Sequence, residues 1–331
     1  MGPPPRFPLA DWIDSHAALP HQLGSSGMRG QLRSTARLLR RPSAASESEV
    51  RAFFGEFNGV DPEAVYLTHG ATEANALALF AIHRQLHRER GRAPRAFLRY
   101  PEYPPLGDAA EFAGFATTAA PKESDVVILS NPNNPTSELR DWDDLKVEIG
   151  SERVALVDET FRGFGNARSF AAAGTPGVWV TGTLTKAFGA DDVRVGFVIP
   201  PVESREEFGH AWGLLTDGIS PTSLAAAAAL LRNAESVLAE TRGILAGNLR
   251  ALRSKVRLEA DPYGPLWFDR GSGGIDSEAL ARFAVSRGVL VCPGTFFGDP
   301  TGVRVGLTRR DFDRDLEAYL EARSAFLSGI G

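Results

Sequence analysis

Cysteine and long apolar runs are scarce in this 331-residue chain, which has one Cys and two Met. A single cysteine, Cys292, excludes an intrachain disulfide and fits a reducing compartment. No apolar run is long enough to cross a bilayer, and residues 1–10 lack the pattern of a secretory signal. We therefore expect a cytoplasmic protein with no membrane partner.

The chain also has no excess of basic residues. It carries 36 Lys and Arg against 41 Asp and Glu, for a formal net charge of −5. No overall positive field therefore indicates a nucleic-acid partner. Residues 29–41 are locally basic. A solvated helix face is the simpler interpretation of this stretch, and a surface that meets a partner subunit is the alternative. Its arginines are Arg29, Arg33, Arg37, Arg40 and Arg41.

Short apolar segments alternate with helical patterns between residues 64 and 199. Such alternation is typical of an α/β fold with a mostly parallel sheet sandwiched between helices. Ligands of these sheets bind at the carboxyl ends of the strands, so functional residues should follow the strands directly. The predicted strands are 64–67, 96–99, 125–129, 154–157, 178–181 and 195–199, with a helix at 72–90.

The remaining parts of the chain predict two further units. Residues 1–50 are predicted to be an N-terminal arm, loosely attached over 1–9, that packs with the C-terminal part. Residues 51–233 would form the large domain, which begins near a helix capped by Ser46. Residues 234–331 read as a smaller α+β domain. Its predicted helices are 234–255 and 311–327, and its predicted strands lie near 264–269, 289–292 and 302–307.

The segment after the fifth predicted strand carries a lysine between hydroxyl residues. Thr183, Thr185 and Lys186 follow that strand, and Arg194 precedes the next one. Hydroxyl donors and a guanidinium suit a phosphate, and a lysine beside other cations in a desolvated pocket is activated as a nucleophile. A lone lysine is more often a solvated charge. The spacing excludes a phosphate-binding P-loop.

Four other segments are candidates, each with a plain structural alternative. The two Asn-Pro pairs of residues 131–135 form either a turn or a rigid mount for amide side chains. Asp158 either caps a turn or meets a cationic ligand group. Residues 70–72 begin a predicted helix, and the backbone amides at the start of a helix can bind phosphate. Arg304, among apolar neighbours, is either paired structurally or a carboxylate clamp.

In this order and spacing, these segments resemble those of fold type I pyridoxal-phosphate enzymes, specifically the class I/II aminotransferase family. The resemblance covers residues 23–307 and is greatest to the branch of histidinol-phosphate aminotransferases and threonine-phosphate decarboxylases. It implies a transferase-like large domain, pyridoxal 5'-phosphate as cofactor and a homodimer. It also implies transfer of an α-amino group between an amino acid and a 2-oxo acid. An amino-acid decarboxylase or other lyase of the same fold is the alternative, and a cofactor-binding module that acts through partners is a third.

The resemblance also implies the roles of individual residues. Lys186 would hold the cofactor as a Schiff base and shuttle a proton, Asp158 would pair with the pyridinium nitrogen, and Tyr103 would stack on the ring. Phe161 stands where the family usually has Tyr. The implied cofactor-binding set is Ala71, Thr72, Tyr103, Asn134, Asp158, Phe161, Thr183, Thr185, Lys186 and Arg194. The substrate carboxylate would be bound by Arg304, Asn134 and Ser26.

Overall fold

A computed structural model describes residues 8–39, 45–150, 153–216, 218–271 and 276–329 of the chain. Of the residues 1–9 that are predicted to be loosely attached, 1–7 lie outside the described residues, as do Arg40 and Arg41. Residues 8 and 9 differ from the prediction, because they begin a helix in which Leu9 is buried. Within those ranges, no helix combines the length and the apolar character that a membrane span requires.

The secondary structure is numbered in chain order. The strands are β1 His21–Gln22, β2 Tyr66–Thr68, β3 Arg95–Leu98, β4 Ala116–Thr117, β5 Val126–Ser130, β6 Val154–Asp158, β7 Val178–Thr183, β8 Gly196–Ile199, β9 Leu266–Asp269, β10 Val289–Leu290, β11 Cys292–Pro293 and β12 Val303–Gly306. The helices are α1 Pro8–Ser15, α2 Arg33–Leu38, α3 Glu47–Asn58, α4 Ala71–Arg90, α5 Pro104–Ala113, α6 Trp142–Ile149, α7 Arg205–Leu215, α8 Pro221–Leu231, α9 Ala234–Lys255, α10 Ser277–Ser286 and α11 Phe312–Leu327.

Seven strands form the large sheet, in the order β2-β8-β7-β6-β5-β3-β4. The strands from β4 to β7 pair in parallel, whereas β8 runs antiparallel to both β2 and β7. The mostly parallel sheet predicted from the sequence is therefore confirmed. The predicted strand at 64–67 begins two residues later, at Tyr66, because residues 62–64 form a 3₁₀ turn.

Both faces of this sheet are buried against helices, which explains the continuous apolar strands. Successive side chains of a strand point to opposite faces. Val126 and Ile128 of β5 pack in one core cluster with α4, α5 and α7. Val127 and Leu129 pack in the other with α3, α8 and α9. A strand buried on both faces has no polar side to alternate with, so every position of β5 is buried.

The C-terminal part carries a separate three-stranded antiparallel sheet in the order β11-β12-β9. The predicted strand at 289–292 is divided there into β10 and β11. The N-terminal segment contacts this region, since β1 pairs in parallel with β10 and the indole of Trp12 donates to the carbonyl of Val291 at 2.8 Å. The domain boundaries at residues 50 and 233 stay predictions.

Gly306 of β12 gives the N-terminal segment room to cross the small sheet. Its amide donates to the carbonyl of Leu23 at 2.6 Å. A Cβ at Gly306 would lie only 2.0 Å from the carbonyl oxygen of Ser25, so no other residue fits without moving the segment. This close approach fixes the chain directly before Ser26.

We predict that Gly306→Ala destabilises the protein by about 1–3 kcal/mol, the usual cost of overpacking a tight site. The matched control is Gly243→Ala in the exposed middle of α9, where nothing lies within 4 Å of the added Cβ. This control should stabilise the protein by roughly 0.5–1 kcal/mol, because alanine is the better helix former. Urea denaturation of the two variants measures both changes. Wild-type stability in Gly306→Ala would contradict the close crossing.

Candidate active site

A cavity of about 210 Å³ lies at the carboxyl edge of the large sheet. Three adjacent parallel strands end there, β5 at Ser130, β6 at Asp158 and β7 at Thr183, and α4 begins there at Ala71. The position follows from the topology, because parallel strands bring their carboxyl ends to one edge. The cavity is lined by Ser26, Ala71, Thr72, Asn75, Tyr103, Ser130, Pro132, Asn134, Asp158, Thr160, Phe161, Thr183, Thr185, Lys186 and Arg194.

The lining includes every residue of the cofactor set that the resemblance implied, together with Ser26. Arg304 is not among the lining residues. Among the other lining residues, Pro132 lies in the Asn-Pro segment that the sequence analysis named, whereas Asn75, Ser130 and Thr160 were given no role there. Asn75 was missed because it lies on the first turns of α4, where the sequence gives no sign of what faces it.

Asp158 is a buried carboxylate that faces the cavity and is 3% exposed. It accepts hydrogen bonds from the Asn75 side-chain amide and from the Thr160 backbone amide, both at 2.8 Å. Asn75 is itself oriented by the Thr181 hydroxyl, which donates to its oxygen at 2.5 Å. Burial raises the pKa of Asp158, while hydrogen bonds from Thr160 and Asn75 and the charge of Lys186 oppose that rise. A cationic ligand group would complete the compensation of this charge.

Arg194 precedes β8, and its side chain lies beside the amino end of α4. Its backbone is in a strained conformation, with a φ of 53°. Its guanidinium donates to the carbonyl of His69 at 3.0 Å. It also lies so close to Gly70 that a Cβ there would come within 2.7 Å of a guanidinium nitrogen. The glycine therefore lets the guanidinium lie beside the amino end of α4, where the macrodipole favours an anion.

Hydroxyl and amide groups surround the same anion position. The Thr183 hydroxyl donates to the carbonyl of Val195 at 3.0 Å and accepts from the amide of Thr185 at 3.2 Å. Ala71 and Thr72 belong to the first turn of α4, whose amides have no partner within the helix. The first-turn amides of α4 and the guanidinium of Arg194 are donors of the kind that a phosphate accepts from.

Lys186 follows β7, and its amine reaches the cavity from the side of the N-terminal segment. The carbonyl of Lys186 accepts from the amide of Met28 at 3.2 Å. A Cβ at Gly27 would lie 3.2 Å from the Lys186 side chain. Its Nζ lies 3.4 Å from Oδ1 of Asp191. An amine that faces the same cavity as the buried carboxyl of Asp158 and the anion site is suited to nucleophilic chemistry.

Tyr103 and Asn134 also line the cavity. Burial, reinforced by the charge of Asp158, raises the pKa of Tyr103 to about 12, so its ring is neutral at physiological pH. The amide of Asn134 donates to the hydroxyl of Ser130 at 2.9 Å. Phe161 is 3% exposed, and its ring packs edge to face on Phe164.

Arg304 lies behind Asn134 and is 1% exposed. Its guanidinium donates to the side-chain oxygen of Asn134 at 3.1 Å and to the carbonyl of Gly24 at 2.9 Å. It also contacts the sulfur of Cys292 at 3.4 Å. Across the described ranges, no carboxylate forms an ion pair with Arg304. A buried guanidinium without a counter-ion favours the carboxylate-clamp interpretation over structural pairing.

Comparison with known proteins gives the family. The model of the class I and II aminotransferases matches residues 92–317. A histidinol-phosphate aminotransferase of Mycobacterium bovis is 30% identical over 195 residues, which cover 55% of this chain and 51% of that protein. That of Halorubrum lacusprofundi is 27% identical over 62% of this chain and 56% of its own length. The chain thus spans about half the length of the curated relatives it matches.

The fold is shared with solved structures. A pyridoxal-phosphate-dependent aminotransferase from Streptococcus suis superposes with a TM-score of 0.80 at 19% identity and covers 99% of this chain and 98% of its own. The family model matches well over half of the residues. The chain therefore belongs to the class I and II aminotransferase family, whose members use pyridoxal 5'-phosphate.

Proposed function

We propose that this chain is a pyridoxal-phosphate-dependent aminotransferase that moves an α-amino group between an amino acid and a 2-oxo acid. One observation carries the proposal. The carboxylate of Asp158, the amine of Lys186 and the anion site beside Arg194 face a single cavity. Few ligands other than a phosphorylated pyridine aldehyde need all three groups at once.

The chemistry of the donor set fits this cofactor. Asp158 would bind a protonated ring nitrogen, and the groups around Arg194 would bind the phosphate. The carboxyl of Asp158 is 3% exposed and forms no ion pair with a residue of the described ranges, so it has capacity for a cationic ligand group. When bound, the cofactor supplies an electron sink for charge that develops at the substrate Cα.

The chain's own residues would then perform the proton transfer and the positioning. Lys186, whose side chain lines the cavity, would accept the proton from the substrate Cα and would later act as its donor. Asp158 would hold a proton on the ring nitrogen. Tyr103 would stack against the ring and exclude water from that face. Arg304, with Asn134 and Ser26, would orient the substrate by its carboxylate.

The proposal extends to assembly and location. We propose a homodimer, which is the commonest closed symmetry. In support, Phe112 is 82% exposed and its ring centroid lies 6.0 Å from that of the partly exposed Phe80. Apolar surface of this kind is typical of interfaces. A cytoplasmic location is part of the same proposal.

The first prediction tests the attachment of pyridoxal phosphate to Lys186 together with the transfer of an amino group to a 2-oxo acid. Wild-type protein given pyridoxal phosphate should gain visible absorbance, and borohydride should fix the label on the Lys186 peptide. With an amino-donor panel, it should convert 2-oxoglutarate or pyruvate to the amino acid. Lys186→Ala should lose both properties, whereas Lys146→Ala, on the exposed surface of α6, should keep them. A label elsewhere would overturn the assignment of Lys186, and carbon dioxide release without amino transfer would favour the decarboxylase.

The second prediction concerns Asn75, which donates to Asp158. Asn75→Ala removes that donor, so the pKa of Asp158 should rise further and its carboxylate should protonate at a higher pH. One such bond is worth about 1.5 kcal/mol, so cofactor affinity should fall by roughly tenfold. The acid limb of the affinity profile should also move to higher pH. Absorbance titrations across pH measure both effects. Unchanged affinity at every pH would mean that Asn75 does not support Asp158.

The third prediction separates substrate binding from folding at Arg304. Lysine keeps the charge but not the planar fork, so Arg304→Lys should raise KM for the amino donor by about tenfold or more. Cofactor affinity and the urea midpoint should stay near the wild-type values. An equal loss of cofactor affinity would instead mark Arg304 as structural.

A further inference from the structure

Glu102 is a buried acid that lies outside the cavity and has no part in the chemistry described so far. It is 1% exposed and directly precedes Tyr103. One of its carboxyl oxygens accepts from the amide of Tyr103 at 2.6 Å, and the other accepts from the amide of Ser130 at 2.8 Å. The hydroxyl of Ser130 also donates to it. The side chain of Glu102 therefore joins the start of α5 to the end of β5.

Ser130 continues this contact into the proposed carboxylate site. The amide of Asn134 donates to the hydroxyl of Ser130 at 2.9 Å. The side-chain oxygen of the same asparagine accepts from the guanidinium of Arg304 at 3.1 Å. A chain of hydrogen bonds thus runs from Glu102 through Ser130 and Asn134 to Arg304.

The backbone of Glu102 closes this chain of contacts into a ring. Its amide donates to the carbonyl of Phe297 at 3.0 Å. The guanidinium of Arg304 lies over the ring of Phe297, 4.8 Å from its centroid. Arg304 is therefore held from two sides, by Asn134 and by Phe297, and both contacts lead back to Glu102.

We propose that Glu102 is a positioning residue that holds the guanidinium of Arg304 in place for the substrate carboxylate. The inference rests on the proposed function, in which Arg304 and Asn134 bind that carboxylate. A planar guanidinium binds a carboxylate through two parallel hydrogen bonds, so its orientation matters as well as its charge. Glu102 sets this orientation through Ser130 on one side and through Phe297 on the other.

Asp125 offers a matched comparison on the same strand. It is 2% exposed and directly precedes β5, at the edge of the sheet opposite to the cavity. Like Glu102, it accepts from a backbone amide, that of Arg95, at 2.7 Å. Its side-chain partners Arg90 and Arg92 are 36% and 50% exposed, so these contacts lead to the surface and not to Arg304.

The test measures the affinity for propionate, a carboxylate without an amino group, by calorimetry with and without bound pyridoxal phosphate. Burial raises the pKa of Glu102 to about 8, so at slightly acidic pH its replacement removes hydrogen-bond acceptors rather than a negative charge. Glu102→Ala should weaken propionate binding by about tenfold, the factor expected for loss of one hydrogen bond that holds a binding group. Glu102→Gln keeps one accepting oxygen, so its affinity should lie between those of Glu102→Ala and the wild type.

Asp125→Ala is the control, since it should lower the urea midpoint and leave propionate binding unchanged. If Glu102→Ala does not fold, Ser130→Ala takes its place, because it removes the hydroxyl between Glu102 and Asn134 and should weaken binding in the same direction. Unchanged affinity in the folded variant, or equal weakening in Asp125→Ala, would overturn the proposal. Wild-type affinity in Arg304→Lys would instead overturn the carboxylate clamp of the proposed function, so the two failures are distinct.

Discussion

The charge of Asp158 constrains the rest of the site. A carboxylate at the end of a buried strand has little access to water, so the protein must supply its hydrogen bonds or a ligand must supply a cation. Asn75 and Thr160 donate to it, and Lys186 lies near enough for its charge to act on it. The position of α4 is tied to this arrangement, because the helix that carries Asn75 also presents its first amides to the anion site.

The same strand ends explain why the parts of the site come from distant segments of the chain. Register pairs Ser130 of β5 with Asp158 of β6, and Asp158 with Thr181 of β7. The loops that follow these three strands therefore leave the sheet at one level and meet at one cavity. β8 reverses direction beside β7, and so Arg194, which precedes β8, returns to the edge where Lys186 lies. A fully parallel sheet would have placed Arg194 at the opposite edge.

The places of Asp158, Lys186 and the Asn-Pro loop at the carboxyl edge of the sheet were predictable, because each directly follows a buried apolar strand. Their roles came from the family resemblance and stay predictions. The place of Asn75 was not predictable, since its contact with Asp158 depends on how α4 packs across β6 and β7. The contact of Arg304 with Asn134 joins residues 170 positions apart, which no local pattern records. β4 was missed because it has only two residues, and both are exposed.

A second buried carboxylate explains how the site keeps its charge in balance. Glu102 lies behind Tyr103 and accepts hydrogen bonds from the amide of Ser130 at 2.8 Å and from that of Tyr103 at 2.6 Å. Burial nevertheless raises its pKa to about 8, and the charge of Asp158 adds to the rise. At neutral pH Glu102 is therefore mostly protonated. With Glu102 neutral, the carboxyl of Asp158 has no ionised Glu102 carboxylate as a neighbour, which suits the single protonated ring nitrogen proposed for it. Two ionised carboxylates would repel each other and demand a second cation, which a pyridine ring does not provide.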